Sequence, residues 1–117
     1  MPLARRLLIV DDEPAVLDLL KRYLERVGYS VEMSASAEAA LDLFEAAPYG
    51  YDLVITDLKL PGMGGEDLLK RMRARNPSVR ALIASGYPHR PALANVGFLL
   101  KPYLPKMMVD SIERMFN

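Results

Sequence analysis

Three carboxylates, a hydroxyl and an amine stand out in this chain because each closes a short apolar run. Asp11 and Asp12 follow Leu7-Leu8-Ile9-Val10, and Asp57 follows Leu53-Val54-Ile55-Thr56. Ser85 closes the run from Val79 to Ala84, and Lys101 comes directly after Phe98-Leu99-Leu100. Carboxylates that are brought together repel one another unless a cation compensates. Oxygen donors in a chain without cysteine point to a hard divalent ion, Mg²⁺ above all. A carboxylate can also attack phosphorus, giving an aspartyl phosphate. Such a transfer asks the protein for alignment and charge neutralisation. In that chemistry the ion bridges a carboxylate and the phosphoryl oxygens. Lys101 adds a second positive charge and Ser85 a hydrogen bond.

Each residue also has a plainer reading. Asp11-Asp12 ahead of a helix can be an N-cap, since Asp accepts bonds from first-turn amides and suits the positive helix end. Asp57 can be a turn former, Ser85-Gly86 a turn, and Lys101 a solvated strand end. The plain readings would have to coincide at the ends of four different strands.

Those strands alternate with helical periods. Residues 7–10 are a continuous apolar run, as in a strand buried on both faces. Pro14 suits a first helical turn; Val16, Leu17, Leu20, Leu24 and Val27 follow at helical spacing, and Gly28 stops them. Val31 and Met33 alternate with Ser30 and Glu32, which predicts an edge strand with one wet face. Ser36 opens a second helix with Leu41 and Phe44 on its apolar face, closed by Pro48-Tyr49-Gly50. Leu68, Leu69 and Met72 mark a third, closed before Asn76-Pro77. Leu104, Met107, Met108, Ile112 and Met115 give a final amphipathic helix, with the methionines as core filler. This alternation predicts an α/β fold with a doubly wound parallel sheet of five strands, in the flavodoxin-like order 2-1-3-4-5. Ligands of such sheets bind beyond the carboxyl ends of the strands where the winding reverses, here between strands one and three.

Composition narrows the function classes. The 117 residues suit one domain spanning 1–117, and 51% hydrophobic content is enough for a core without staples. The absence of cysteine excludes a disulfide framework and thiolate chemistry, and fits a reducing cytoplasm. Fifteen basic residues balance fifteen acidic ones, which gives no basic stripe for direct nucleic-acid binding. Arg71, Arg73 and Arg75 read as the solvated face of a helix, and the lone His89 as a loop side chain. No apolar run approaches the ~20 residues of a membrane span. The stretch from Met1 to Val10 is too short for a signal peptide's apolar core plus a cleavage site.

At this point the chain resembles the receiver domains of two-component response regulators over essentially its whole length. The matching pieces are Asp11-Asp12-Glu13-Pro14, Asp57 with Pro61-Gly62-Met63-Gly64-Gly65 behind it, Ala84-Ser85-Gly86, and Lys101-Pro102. The resemblance implies that Asp57 is the phosphoacceptor, served by a histidine kinase or phosphotransfer protein. It implies Asp12 as a direct Mg²⁺ ligand, Asp11 as one acting through water, and the backbone carbonyl of Lys59 as a further ligand beside Asp57. Lys101 and Ser85 hold the phosphoryl group. Phe98 occupies the aromatic switch position, which follows Ser85 inward and remodels the face presented to an output domain or partner. Ser85-Gly86-Tyr87 followed by Phe98-Leu99-Leu100-Lys101-Pro102-Tyr103 is similar to receivers of hybrid histidine kinases.

The chain departs from the family between Ser85 and Lys101, where fewer residues stand than members usually have. Gly86, Pro88, Pro91 and Gly97 fall there, and a proline inside a helix costs ~3 kcal/mol. A fourth helix is therefore expected to be a turn or two, or missing. Two enzyme-like alternatives fit less well. A phosphatase of the haloacid dehalogenase type needs an acid two residues after the nucleophile, where this chain has Lys59. A flavin site needs a phosphate-binding loop after strand one, where Asp11-Asp12-Glu13 would repel phosphate. A degenerate receiver, binding partners without phosphorylation, is the remaining alternative. The expectation is a phospho-switch, catalysing its own phosphorylation and dephosphorylation at Asp57 and no multiple-turnover reaction.

Overall fold

A computed structural model describes residues 4–117, so Met1, Pro2 and Leu3 of the amino-terminal reading lie outside the described residues. The chain runs β1 (Arg6–Val10), α1 (Pro14–Val27), β2 (Ser30–Ser34), α2 (Ala37–Ala46), β3 (Leu53–Asp57), α3 (Gly65–Arg75), β4 (Arg80–Ser85), β5 (Val96–Leu100) and α4 (Pro105–Phe116). The strands pair in parallel in the order β2-β1-β3-β4-β5. The doubly wound order expected from the alternation is the one observed.

Successive strand residues face opposite sides, and both sides are covered. On one, Leu8, Val10, Val54, Ala81 and Ile83 meet Ala40 and Phe44 of α2 and Leu68, Leu69 and Met72 of α3. On the other, Leu7, Ile9, Leu53, Ile55 and Leu82 meet Leu17, Leu20 and Leu24 of α1 and Met108 and Ile112 of α4. That double cover is why residues 7–10 are apolar without interruption. β2 is an edge, and its wet face carries Glu32, which accepts from Arg6 Nη2 at 2.6 Å and from the Tyr51 hydroxyl at 2.7 Å. Burial and the neighbouring Glu32 carboxylate push the Tyr51 phenol up to about 12.

Helix ends follow local chemistry. Pro14 opens α1, and Gly28 closes it at φ 121°, where its N–H reaches Leu24 O and Glu25 O. Ser36 caps α2, its Oγ accepting from Ala39 N–H at 3.1 Å. Residues 86–95 hold no helix, the second of the two outcomes expected there, a short helix or none, so the last helix is the fourth in chain order.

One reading is corrected here. Arg71 and Arg75 are exposed, as a solvated face requires, but Arg73 is half-buried. Its Nε donates to Val79 O at 3.2 Å, and its other nitrogens donate to Ala94 O and Asn95 O. Without a helix between β4 and β5, the Ala94 and Asn95 carbonyls lack helical partners, and the arginine fork supplies donors.

Candidate metal and phosphoryl site

The carboxyl ends of β1, β3, β4 and β5 meet on one rim, and sequence-predicted residues lie at each end. Asp11 is 4% exposed and held from two sides: its N–H donates to Ser34 O at 3.1 Å, and its Oδ1 accepts from Glu13 N–H at 3.0 Å. The N-cap of α1 is Glu13, with no side-chain cap, so capping does not account for Asp11-Asp12. Asp12 is exposed beside it. Asp57 ends β3, half-buried. Carboxylate oxygens of Asp11, Asp12 and Asp57 all lie within 4.8 Å of one another.

Lys101 enters this cluster from beyond β5. Its backbone N–H extends the ladder to Ser85 O at 2.7 Å, which fixes where the side chain starts. Nζ then reaches Asp57 Oδ2 at 3.0 Å and Asp11 Oδ2 at 3.2 Å. Burial alone would lower the Lys101 pKa, but the hydrogen bonds and attraction of Asp57 and Asp11 outweigh it and hold the ammonium above its ordinary value.

Ser85 is 2% exposed at the end of β4, and its Oγ accepts from Tyr87 N–H at 3.1 Å. Phe98 lies opposite Ile83 in the β4–β5 register and is partly buried against the α2–α3 core. Lys59 is exposed in the loop after β3, its ammonium 4.6 Å from the centre of the Tyr87 ring. Its carbonyl accepts no hydrogen bond among the described residues. The structure thus brings Asp11, Asp12, Asp57 and Lys101 together, with Ser85 on the adjoining strand end and Phe98 behind it.

The donor set fits a hard divalent cation: three carboxylates compete for one ammonium, leaving negative charge that oxygen-seeking Mg²⁺ would balance. Asp11, Asp12, Asp57 and the Lys59 carbonyl are the groups that would hold it.

Several supporting contacts were not read from the sequence. Gly65 starts α3 so close to β3 that an added Cβ would lie 2.2 Å from Asp57 O. Glu38 on α2 reaches across to the loop after β3, its Oε2 accepting from Met63 N–H at 2.9 Å. His89, read as a loop side chain, bonds Glu66 Oε1 through Nε2 at 2.7 Å. The two glycines at 64 and 65 hinted at close backbone approach. The Glu38 and Glu66 contacts join residues 25 and 23 positions apart with no spacing rule to expose them.

Residues 7–113 match the response regulator receiver domain family, and the chain belongs to it. It is a receiver domain of the two-component class. Over 94% of its length it is 34% identical to sensor kinase CckA of Brucella abortus, of which it spans only 12%. The solved receiver domain of hybrid histidine kinase CckA is 33% identical at a TM-score of 0.86, covering 96% of this chain and 99% of that one. Response regulator TrrA of Thermotoga maritima, solved with Mg²⁺ and BeF, is 28% identical at a TM-score of 0.84, covering 95% of this chain and 98% of that one. No helix among the described residues is long and apolar enough to cross a membrane.

Proposed function

We propose that this domain accepts a phosphoryl group from a histidine kinase or phosphotransfer protein onto Asp57 and relays it as a change of surface to an output domain or partner. The single observation that carries the reading is Lys101 Nζ bonded to both Asp57 and Asp11 at the meeting point of three carboxylates. In the transfer an Asp57 oxygen attacks phosphorus, the P–N bond of the donor phosphohistidine breaks, and the imidazole leaves with the electron pair. Lys101 shifts its hydrogen bond from the Asp57 carboxylate to the incoming phosphoryl oxygens, so its charge is already in place. The Ser85 hydroxyl donates a hydrogen bond to another of those oxygens and keeps its proton. Asp11, Asp12, Asp57 and the Lys59 carbonyl would hold Mg²⁺, which would supply neutralisation of phosphoryl charge.

The readout begins at Ser85. Movement of its hydroxyl toward the phosphoryl group disturbs the β4–β5 end, where Phe98 is only partly buried and can reorient. Nothing in the site supplies the general acid a phosphatase would need two residues after Asp57, so the domain works once per phosphoryl group, as one unit over 1–117 in the cytoplasm.

The test is titration with beryllofluoride and Mg²⁺ under NMR. Wild type should show amide shifts at Ser85, Phe98 and Lys101, and Asp57→Asn should show none. Shifts of equal size in both proteins would favour the degenerate receiver, an interaction module that works without phosphorylation.

A further inference from the structure

Residues 86–95, which replace a crossover helix, form a strap tied at three places. Near its start, Tyr87 N–H donates to Ser85 Oγ at 3.1 Å. At its middle, Glu66 Oε1 accepts from His89 Nε2 at 2.7 Å and from Ala92 N–H at 3.2 Å. At its end, Arg73 donates to Ala94 O and, at 3.3 Å, to Asn95 O, where the chain turns through a left-handed residue, Asn95 at φ 58°. Glu66 and Arg73 stand two helical turns apart on α3, so one face of one helix holds both points.

The Glu66 tie is kept at a cost. Its Oε2 is buried with no partner among the described residues, an arrangement that costs stability. Burial would raise the Glu66 pKa, yet the bonds from His89 and Ala92, with the His89 and Lys70 charges, hold it below the usual carboxylate range.

The strap begins at Ser85. A serine hydroxyl accepts through a lone pair and donates its single proton independently. Here the Tyr87 amide occupies a lone pair, while the proton has no acceptor among the described residues. The strap therefore fixes the oxygen and leaves the proton for an incoming group. In a helical crossover the helix's own hydrogen bonds would hold that turn; here the ties from α3 do so.

We propose that Glu66 is a positioning residue for phosphoryl transfer, acting through the strap to hold the Ser85 hydroxyl ready to donate a hydrogen bond to the phosphoryl group. The proposal rests on Asp57 being the phosphoacceptor. With acetyl phosphate as donor, the Asp57 O–P bond forms, the anhydride P–O bond breaks, and acetate leaves with the electron pair. Ser85 keeps its proton throughout, and Glu66 exchanges none.

The experiment measures acetyl phosphate labelling rates against donor and Mg²⁺ concentration in wild type, Glu66→Ala, Glu66→Gln, His89→Ala and Asp57→Asn. Mg²⁺ affinity and amide exchange at Tyr87 and Ala92 are followed alongside. Displacing a transition-state donor without deleting it should slow Glu66→Ala about tenfold at saturating donor, with Mg²⁺ affinity unchanged and both amides exchanging faster. Glu66→Gln, whose amide oxygen still accepts, should recover most of the rate. His89→Ala, which leaves the Ala92 tie and keeps the carboxylate, should slow labelling about threefold and serves if Glu66→Ala does not fold. Wild-type rates in both Glu66→Ala and His89→Ala would overturn the proposal, as would a Glu66→Ala defect lying wholly in Mg²⁺ affinity. A wild type that stays unlabelled, like Asp57→Asn, would remove the phosphoacceptor reading and this inference with it.

Discussion

Lys101 Nζ lies 3.0 Å from Asp57 Oδ2, joining residues 44 positions apart at the ends of β5 and β3, which β4 separates. The ammonium spans the rim and holds two carboxylates that would otherwise repel, and it stands where transferred negative charge would arrive. Its raised pKa fixes the sign of its pH effect. A group that binds its proton more tightly when folded stabilises below its unfolded pKa, and that contribution is lost as pH rises through the folded value. Wild-type stability should therefore fall above about pH 10.4 by a component that Lys101→Met lacks. At pH 7 without divalent cation, Lys101→Met should be less stable by about 1–3 kcal/mol in urea unfolding, since Asp11 and Asp57 lose their counter-charge. Identical alkaline profiles would contradict this.

Mg²⁺ should raise stability by mass action, by about 2.7 kcal/mol at a hundred times its dissociation constant. Asp12 is exposed, bonds nothing that folding needs and adds repulsion to the carboxylate cluster, so Asp12→Ala should melt at or above the wild-type temperature in chelator and lose most of the Mg²⁺-induced rise. Calorimetry with and without Mg²⁺ decides it: a full rise in Asp12→Ala would take that residue out of the metal site.

Gly65 and Gly86 make a matched pair. A Cβ at Gly65 would strike the Asp57 carbonyl at 2.2 Å, whereas one at Gly86 meets nothing within 4 Å. Gly65→Ala should cost about 3 kcal/mol or displace the end of β3 and slow labelling of Asp57. Gly86→Ala should stay within about 0.5 kcal/mol. Urea midpoints for the two variants check both, and equal costs would mean that α3 does not sit as close to β3 as described.

The loop after β3 carries an acid-sensitive tie. The Met63 amide hydrogen bond, first among its causes, holds the Glu38 carboxyl below the usual range. The lowered pKa means the tie persists above the ordinary value and is lost as pH falls through the folded one. The Met63 amide resonance should move through that low transition in wild type and stay flat in Glu38→Gln. A flat wild-type profile would rule the tie out.

The strand ends were legible because parallel strands covered on both faces read as unbroken apolar runs, and the residue after each run must land on the rim. Asp11, Asp57, Ser85 and Lys101 could be placed that way from residues 7–10, 53–56, 79–84 and 98–100. That the crossover helix is short or missing was legible too, since Pro88 and Pro91 leave room for a turn or two at most. What replaces it was not. Arg73 read as one of three solvent-facing arginines, because a helical period cannot tell which guanidinium will find unpaired carbonyls 21 residues on. Glu38, Glu66 and His89 were silent for the same reason: their partners are set by how α2 and α3 pack, which no local spacing encodes.

The most direct measurement is intact-mass spectrometry after incubation with acetyl phosphate, with and without Mg²⁺, on wild type and Asp57→Asn. A single phosphoryl adduct on wild type, dependent on Mg²⁺ and absent from the variant, is the expected result. An adduct that survives in Asp57→Asn, or forms equally well in chelator, would contradict Asp57 as the acceptor or the carboxylate cluster as its metal site.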